Sequence, residues 1–374
     1  MNLFFIHTPF QLFVVNQIIN YKHLEHNVAV LGFVQNNRHF YQLYEYMMED
    51  GSFDYIYHFD DLENWALISL HSPFKSINRI IKNYKFILKL IKKHRVRSLY
   101  LGDVNNFSCK FSSYVFSRKM IEIVFYEEGS SHYCYQMHNF KMNMFLKNVL
   151  CFFYNTCFYL PFWGIKYAEW RFKKDIPFEK LHIDKRYSII NAFHEEYDEK
   201  LPISKKIPSK IRQVVLNDIK GLQNIDYNEM LLYISSPVYE EFGSEGVELF
   251  FTFLSEKLDL YSDKTIFVIK YHPRDTEQFK QRFQKELSKR SINYIVIGKF
   301  VNIPLEYYLQ CFDFDKMITF LSSVSFYNGI IYKRAEIKDY ALDYFMFCKS
   351  HGVKNVDLML DLCKTLLDIK NIKQ

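Results

Sequence analysis

The sequence lacks the short motifs that mark many nucleotide and metal sites. It has no GxxxxGK[ST], no HExxH and no GxSxG segment, which argues against a P-loop nucleotide hydrolase, a zinc protease and an α/β-hydrolase. The seven cysteines are odd in number and form no CxxC pair. A disulfide framework or a structural zinc site is therefore not expected, and a reducing compartment fits best. We predict that the protein uses no metal and no cofactor.

Long hydrophobic runs and a concentrated charge of one sign are also missing. The most apolar window, residues 149–165, is interrupted by Asn155, Thr156 and Pro161, and a membrane-spanning helix needs roughly 18–20 clean apolar residues. The chain starts with Asn2-Leu3-Phe4-Phe5-Ile6 rather than with a basic leader. A net charge of +6 suits an anionic substrate or membrane surface and is too mild for nucleic acid. We expect a cytoplasmic protein that binds no nucleic acid, with the inner membrane as a peripheral partner.

What is present is an alternation of strand-like and helix-like patterns along 374 residues. Helical patterns occupy 10–19, 77–93, 247–257 and the residues from about 305. Apolar runs predict strands at 3–6, 28–34, 55–58, 98–101, 121–126, 230–234, 265–271, 293–297, 316–321 and 335–342. This alternation is typical of βαβ units with parallel sheets, and the charged, proline-containing run 195–212 predicts a linker. The sequence therefore predicts an α/β fold with two Rossmann-like domains, 1–200 and 213–374, that face a central cleft.

Three short motifs each follow a predicted strand. They are Glu127-Glu128-Gly129, His272-Pro273 and Ser322-Ser323. In open α/β sheets, ligands bind beyond the carboxyl ends of the strands. All three motifs are therefore placed where chemistry is expected.

The acid pair and the histidine each have a functional and a structural interpretation. Side chains alternate along a strand, so the two acids diverge, and Gly129 permits a sharp turn beside a ligand; a surface turn is the alternative. His272 can donate to a leaving phosphate while Pro273 fixes the turn that aims it. A strand-end histidine with a structural role is the alternative.

The serine pair and the basic helix are similarly open. Two hydroxyls with free backbone amides at a helix start can bind a phosphate, whereas a helix cap accounts for only one serine. The helix 77–93 carries basic residues opposite its apolar stripe. That face is either solvated or in contact with an anionic membrane or acceptor.

Together, the order and spacing of the three motifs resemble those of the bacterial sialyltransferases. The segments Lys-Tyr-His-Pro-Arg-Asp and Phe-Leu-Ser-Ser-Val-Ser-Phe-Tyr strengthen the resemblance, and the start Leu-Phe-Phe-Ile-His-Thr-Pro-Phe-Gln-Leu is similar to lipooligosaccharide and capsule members. The resemblance implies a GT-B glycosyltransferase with a first domain on the acceptor side and a second that binds the donor. It implies metal-independent, inverting transfer of sialic acid from CMP-sialic acid to a glycan acceptor, lipooligosaccharide or capsule.

The resemblance also assigns roles to residues. Glu128 matches the general base, and His272 matches the group that stabilises or protonates the departing CMP phosphate. The donor-binding residues that it implies are Pro273, Glu306, Ser322, Ser323 and Ser236, with Glu306 on the ribose hydroxyls. Glu127, Gly129 and Glu240 are secondary candidates.

One stretch departs from the family pattern. In the lipooligosaccharide branch a Ser-Pro-Asp supplies the base, whereas this chain has Ser236-Pro237-Val238. We therefore expect Glu128 to be the base, with Glu240 or Glu241 as the alternative. The other functions considered are a CMP-Kdo transferase, a CDP-glycerol glycerophosphotransferase, and a non-catalytic glycan- or membrane-binding protein on the same fold.

Overall fold

The chain divides into two compact units in the structure, which is a computed structural model. One unit comprises Met1–Asn36 with Ser52–Pro202, and the other comprises Asn37–Gly51 with Ile203–Gln374. The residues that the structure describes are 1–32, 38–59, 73–102, 120–127, 183–189, 196–221, 226–272, 274–298, 303–322, 324, 327–332, 335–354, 356–357, 359–361 and 363–364. Four predicted site residues lie outside these ranges, namely Glu128, Gly129, Pro273 and Ser323.

Within the described residues, the first unit holds a parallel sheet of seven strands. The strands are β1 (Asn2–Ile6), β2 (Asn27–Gly32), β3 (Tyr55–Phe59), β4 (Ser98–Leu101), β5 (Glu122–Tyr126), β6 (Lys185–Ser188) and β7 (Asp198–Lys200). They stand in the order β3-β2-β1-β4-β5-β6-β7. Helix α1 (Pro9–Lys22) follows β1 and α3 (Pro73–His94) precedes β4, whereas α2 (Arg38–Glu49) belongs to the second unit.

The first strand shows why short apolar runs identify these elements. Leu3, Phe4, Phe5 and Ile6 are all fully buried, as expected for a parallel strand that is covered on both faces. The turn that follows is well determined, because the Thr8 side chain accepts from the Gln11 amide and a proline opens helix α1. This is a side-chain N-cap followed by proline in the first turn.

The second unit is organised in the same way around a shorter sheet. In the described part of the chain its strands are β8 (Glu229–Ile234), β9 (Thr265–Lys270), β10 (Asn293–Ile297), β11 (Lys316–Thr319) and β12 (Glu336–Asp339). They are parallel in the order β10-β9-β8-β11-β12. The helices are α4 (Ser209–Ile219), α5 (Gly243–Leu258), α6 (Glu277–Lys289), α7 (Leu305–Cys311) and α8 (Ala341–Ser350), with a 3-10 helix at Val238–Phe242.

Both sheets confirm the predicted α/β fold class with two Rossmann-like halves. In each sheet the strand order reverses once, at β1/β4 in the first and at β8/β11 in the second. Helices that follow neighbouring strands lie on opposite faces at such a point, which leaves a crevice at the carboxyl ends of the strands. Each unit therefore offers one preferred place for a ligand.

The predicted linker is only partly irregular in the structure. Its charged residues 198–200 form the edge strand β7, and α4 begins at Ser209. The strand forms because Arg186 on β6 and Asp198 on β7 make a buried ion pair, with the Arg186 Nε and Asp198 Oδ1 atoms 2.5 Å apart. The irregular part is thus the segment 201–208.

The basic helix that the sequence predicts at 77–93 is α3. Its residues Ile87, Leu90 and Ile91 are buried, and its exposed side chains include Lys82, Lys85, Lys89, Lys92 and Lys93. Among the residues that the structure describes, no helix is both long enough and apolar enough to cross a membrane. The apolar window 149–165 lies outside those residues.

Candidate active site

The acid pair begins directly after β5. Glu127 is fully buried, its backbone N–H donates to the Tyr187 carbonyl at 3.0 Å, and its carboxylate accepts from the Ile189 amide at 2.5 Å. Glu127 therefore joins the segments that follow β5 and β6. Glu127, one acid of the pair, thus has a structural role.

Tyr126 packs against the residues at the point where the strand order of the first sheet reverses. The Tyr126 hydroxyl donates to the Phe5 carbonyl, and a Cβ on Gly102, which follows β4, would lie only 2.6 Å from the Tyr126 ring. His7, which follows β1, is buried, and its amide donates to the Gln11 side chain at 2.6 Å. The sequence prediction did not select His7 or Gln11, although both lie in the start that resembles sialyltransferases.

In the second unit, the turn after β9 fixes His272. The His272 amide donates to Asp275 Oδ2 at 2.8 Å, and the Asp275 amide donates back to the His272 carbonyl at 3.0 Å. The other oxygen of the Asp275 carboxylate accepts from the Tyr239 hydroxyl at 2.6 Å. Tyr239 in turn stacks on Phe279, with ring centroids 4.4 Å apart. Asp275 and Tyr239, which the sequence prediction missed, thus tie this turn to the core.

The surroundings of His272 determine what its ring can do. Nδ1 accepts from the Arg274 amide at 3.2 Å, so the proton of the neutral ring lies on Nε2. Burial lowers the pKa of His272, Asp275 raises it, and Arg274 and Lys270 lower it. A neutral ring with a proton on Nε2 can donate a hydrogen bond to an anionic oxygen.

The loop after β8 contains Ser236, Val238 and Glu240. Ser236 is half-buried, and its carbonyl accepts from the Val238 amide at 2.8 Å. Val238, in the position of the aspartate of the lipooligosaccharide branch, is buried in the core. Glu240 forms an ion pair with Arg274, with 3.3 Å between the charged atoms. Glu240 therefore connects this loop to the His272 turn.

Ser322 follows β11 and caps a local turn. Its hydroxyl oxygen accepts from the Val324 amide at 3.3 Å, which is the usual use of a serine in a turn. The preceding residue, Leu321, adopts a φ of 58° and donates its amide to Asp339 at 3.0 Å. The backbone around Ser322 is thus fixed by neighbouring groups.

Glu306 lies in the first turn of α7 and is 5% exposed. Burial raises the pKa of Glu306 to about 7, against the opposing effects of a backbone hydrogen bond and the charge of Lys270. Lys270, the last residue of β9, is also buried. The sequence prediction missed Lys270, which lies two residues before His272.

Three predicted site residues follow three neighbouring strands. Ser236, His272 and Ser322 come after β8, β9 and β11, which stand in the order β9-β8-β11. The arrangement places hydroxyl groups and one imidazole at the carboxyl ends of the strands, where the strand order of the second sheet reverses. In the described part of the chain, no group of three or more histidine, cysteine, aspartate or glutamate side chains could hold a metal ion.

The family is decided by a match over nearly the whole chain. Residues 2–338 match the family described as alpha-2,8-polysialyltransferase (POLYST). The chain belongs to this family. The predicted resemblance to the bacterial sialyltransferases is thereby confirmed. Family membership supports a glycosyltransferase of the sialyltransferase class, with a nucleotide-sugar donor and a glycan acceptor.

Solved structures with a similar fold include three proteins with low sequence identity. The α-2,3-sialyltransferase of Photobacterium phosphoreum is 12% identical, covers 95% of this chain and 96% of its own, and has a TM-score of 0.46. The UDP-GlcNAc 2-epimerase of Methanocaldococcus jannaschii is 11% identical, with 98% and 99% coverage and a TM-score of 0.46. MnaA of S. aureus with UDP is 9% identical, with 100% and 89% coverage and a TM-score of 0.44. A comparison with curated proteins gives no match.

Proposed function

We propose that this protein transfers sialic acid from CMP-sialic acid to a terminal sugar hydroxyl of a bacterial surface glycan, with inversion at the anomeric carbon. The observation that carries the proposal is the His272 turn. Asp275 fixes this turn, the ring proton lies on Nε2, and Ser236 and Ser322 follow the neighbouring strands. Family membership supports the same class of reaction.

The proposed chemistry is a single displacement. Glu128 takes the proton of the acceptor hydroxyl, whose oxygen bonds to the anomeric carbon while the bond from that carbon to the CMP phosphate oxygen breaks. The electron pair leaves with CMP, and His272 donates to the departing phosphate. Ser322, Ser323 and Ser236 hold the donor, and Glu306 accepts from the ribose hydroxyls.

A monophosphate leaving group is consistent with transfer that needs no metal. It has no diphosphate to clamp, so one histidine and the surrounding hydroxyl and amide donors can balance its charge. We therefore propose that activity persists when divalent cations are removed with a chelator.

We also propose that the enzyme associates with the anionic inner membrane through helix α3. The support is the row of exposed lysines on α3 opposite its buried apolar residues. Basic side chains on one face of a helix are attracted to anionic lipid. An acceptor such as lipooligosaccharide or a capsular oligosaccharide would be presented there.

A donor panel tests the proposal. Purified protein is incubated with CMP-sialic acid, CMP-Kdo or CDP-glycerol, with and without a chelator, and the released nucleotide is measured. The acceptors are a lipooligosaccharide oligosaccharide and α-2,8-linked oligosialic acid. Transfer from CMP-sialic acid alone supports the proposal, transfer from another donor identifies a different cytidine-donor enzyme, and no transfer from any donor favours a binding protein.

A further inference from the structure

A buried group of charged residues lies beside the predicted nucleotide site of the second unit. Lys270 is 9% exposed and Glu306 is 5% exposed. The positive charge of Lys270 interacts with the negative charge of Glu306. Asp218 on α4 interacts with Lys270 as well. Tyr308 contacts Asp218 and lies beside the Lys270 amine, and we call these four residues the Lys270 cluster.

Asp218 is fixed within the Lys270 cluster by two donors. Its Oδ2 atom accepts from the Gly298 amide at 2.9 Å and from the Tyr308 hydroxyl at 2.5 Å. The Lys270 amine lies 5.9 Å from the centre of the Tyr308 ring. The anion on one side of Lys270 is therefore held by groups of the protein itself.

Gly298 leaves the space that the lysine amine occupies. It has a φ of 69°, and a Cβ at this position would lie 2.3 Å from Lys270 Nζ. The backbone conformation favours glycine here, and the absence of a side chain lets the amine approach closely. A side chain at position 298 would displace the amine.

Charge balance indicates what the lysine does. Burial lowers the pKa of Lys270 to about 8, against the effects of the Asp218 and Glu306 carboxylates. A buried carboxyl without a nearby cation takes up a proton, and a protonated carboxyl no longer accepts with both oxygens. Recognition of two neighbouring hydroxyls by one side chain requires the ionised form.

Glu306 is also connected to the loop that follows β11. Burial raises the pKa of Tyr332, and the negative charge of Glu306 raises it further. The Tyr332 hydroxyl donates to the Val324 carbonyl. Val324 is the residue whose amide Ser322 caps. The carboxylate therefore lies near the loop proposed to hold the donor phosphate.

We propose that Lys270 is a positioning residue for nucleotide recognition, whose buried ammonium places a positive charge beside the helix that carries Glu306 and so supports the acceptance of the ribose hydroxyls by the Glu306 carboxylate. The inference rests on the proposed function, in which Glu306 contacts the ribose. It adds that this contact depends on a second residue that does not itself touch the ligand.

Binding of two nucleotides tests the inference. The affinities of CMP and 2′,3′-dideoxy-CMP are measured by calorimetry for the wild type, Glu306→Gln, Lys270→Met and Gly298→Ala. The wild type should prefer CMP by about tenfold or more, the scale of hydrogen bonds to a charged group. This preference should be lost in all three variants. Lys316→Met, which removes a half-buried ion pair with Glu229 at the other end of the sheet, should retain it.

The ratio of the two affinities separates a positioning role from general damage. If Lys270→Met still prefers CMP, the inference is overturned and the proposed function stands. The same holds if Lys270→Met loses affinity for both nucleotides equally, because that result would indicate direct contact between Lys270 and the phosphate. If Lys270→Met does not fold, as judged by circular dichroism, Gly298→Ala decides, because it keeps the lysine but displaces its amine. A wild type that binds neither nucleotide overturns the proposed function and this inference with it.

Discussion

The Glu127 carboxylate accepts a hydrogen bond from the Ile189 backbone amide across 2.5 Å. The two residues follow neighbouring strands of the first sheet, β5 and β6, and the Glu127 side chain is fully buried. An adjacent pair of acids thus has one member committed to the fold. This division is consistent with the other member, Glu128, as the proposed base.

Substitutions in the acid pair should separate activity from stability. Glu128→Gln should keep donor binding and lower transfer by about 10² or more, the usual effect of losing a general base. Glu127→Gln should cost far less activity, because an amide oxygen can still accept from Ile189. Glu127→Ala leaves a buried amide unpaired, so we expect it to lower the free energy of unfolding by about 1–3 kcal/mol.

The control variants for this prediction lie in the second unit. Glu240 forms an exposed ion pair with Arg274, and such pairs contribute little to stability. Glu240→Gln and Glu241→Gln should therefore leave transfer close to that of the wild type. If either one abolishes transfer while Glu128→Gln does not, the base belongs to the second unit and the assignment is wrong.

Asp275→Asn should alter His272 without removing it. The Asp275 charge raises the pKa of His272, so its loss should move that pKa further down. Turnover should fall by about tenfold or more, because the turn that aims the ring loses its carboxylate. Titration of the His272 ring proton by NMR measures the pKa, and Asp263→Asn, at an exposed position of the same unit, is the control. An unchanged or raised His272 pKa would contradict this account.

Cytidine binding should weaken as the pH falls through about 7. Burial raises the pKa of Glu306 to about 7, and only the ionised carboxylate accepts from both ribose hydroxyls. Well below that pH, affinity should therefore drop by about tenfold per pH unit. The nucleoside is used because it lacks the phosphate, which itself titrates in this range.

The measurement is the dissociation constant of cytidine from about pH 5.5 to about pH 8.5. Glu306→Gln should bind more weakly and show no such dependence, since an amide does not titrate there. Affinity in the wild type that is constant between these limits, or that increases as the pH falls, would show that Glu306 does not bind the ribose as an anion.

Membrane association should depend on the lysines of α3. The double variant Lys85→Glu/Lys89→Glu should lower co-sedimentation with anionic liposomes by at least about tenfold, because each basic residue near the surface contributes about 1 kcal/mol. The matched variant Lys285→Glu/Lys289→Glu on α6 should bind as the wild type does. Added salt should weaken the binding, and absence of binding at low salt would rule the proposal out.

The strands of both sheets were largely predictable from the sequence. The run 293–297 forms β10, and the run 265–271 forms β9 with an end only one residue shorter. All six residues of β9 are buried, and a strand covered on both faces has a short, continuously apolar sequence. The edge strand β10 is mostly half-buried, but its apolar run is continuous as well. The placement of His272 and Ser322 at strand ends followed directly from these bounds.

Features that depend on contacts between distant residues were not predictable. The charged strand β7 is stabilised by the buried Arg186–Asp198 pair, whereas charge in a sequence indicates a loop. The segment 243–246 contains two glycines, which disfavour a helix, but it begins helix α5. Gly246 fits there because a Cβ would lie 2.4 Å from the Tyr239 carbonyl oxygen, a contact that a local pattern does not reveal.

Lys270 and Asp275, the site residues that the sequence prediction missed, lie in a segment that the sequence analysis quoted. Their importance depends on their burial, which the sequence does not show. Lys270 and Asp275 are the ends of the segment Lys-Tyr-His-Pro-Arg-Asp, which the family resemblance rests on. A lysine or aspartate beside a strand end is exposed in most proteins. Only the structure shows that these two are buried, which distinguishes them from the exposed Arg274 in the same segment.

The most direct test of the central claim is sialic acid transfer from CMP-sialic acid by the wild type and by His272→Ala. Product is quantified by mass spectrometry, circular dichroism verifies the fold, and His351→Ala, at an exposed position after α8, is the control. The wild type and the control should transfer sialic acid equally, and His272→Ala should be slower by about 10² or more. A folded His272→Ala with near-normal transfer, or a wild type that transfers no sialic acid, would contradict the account.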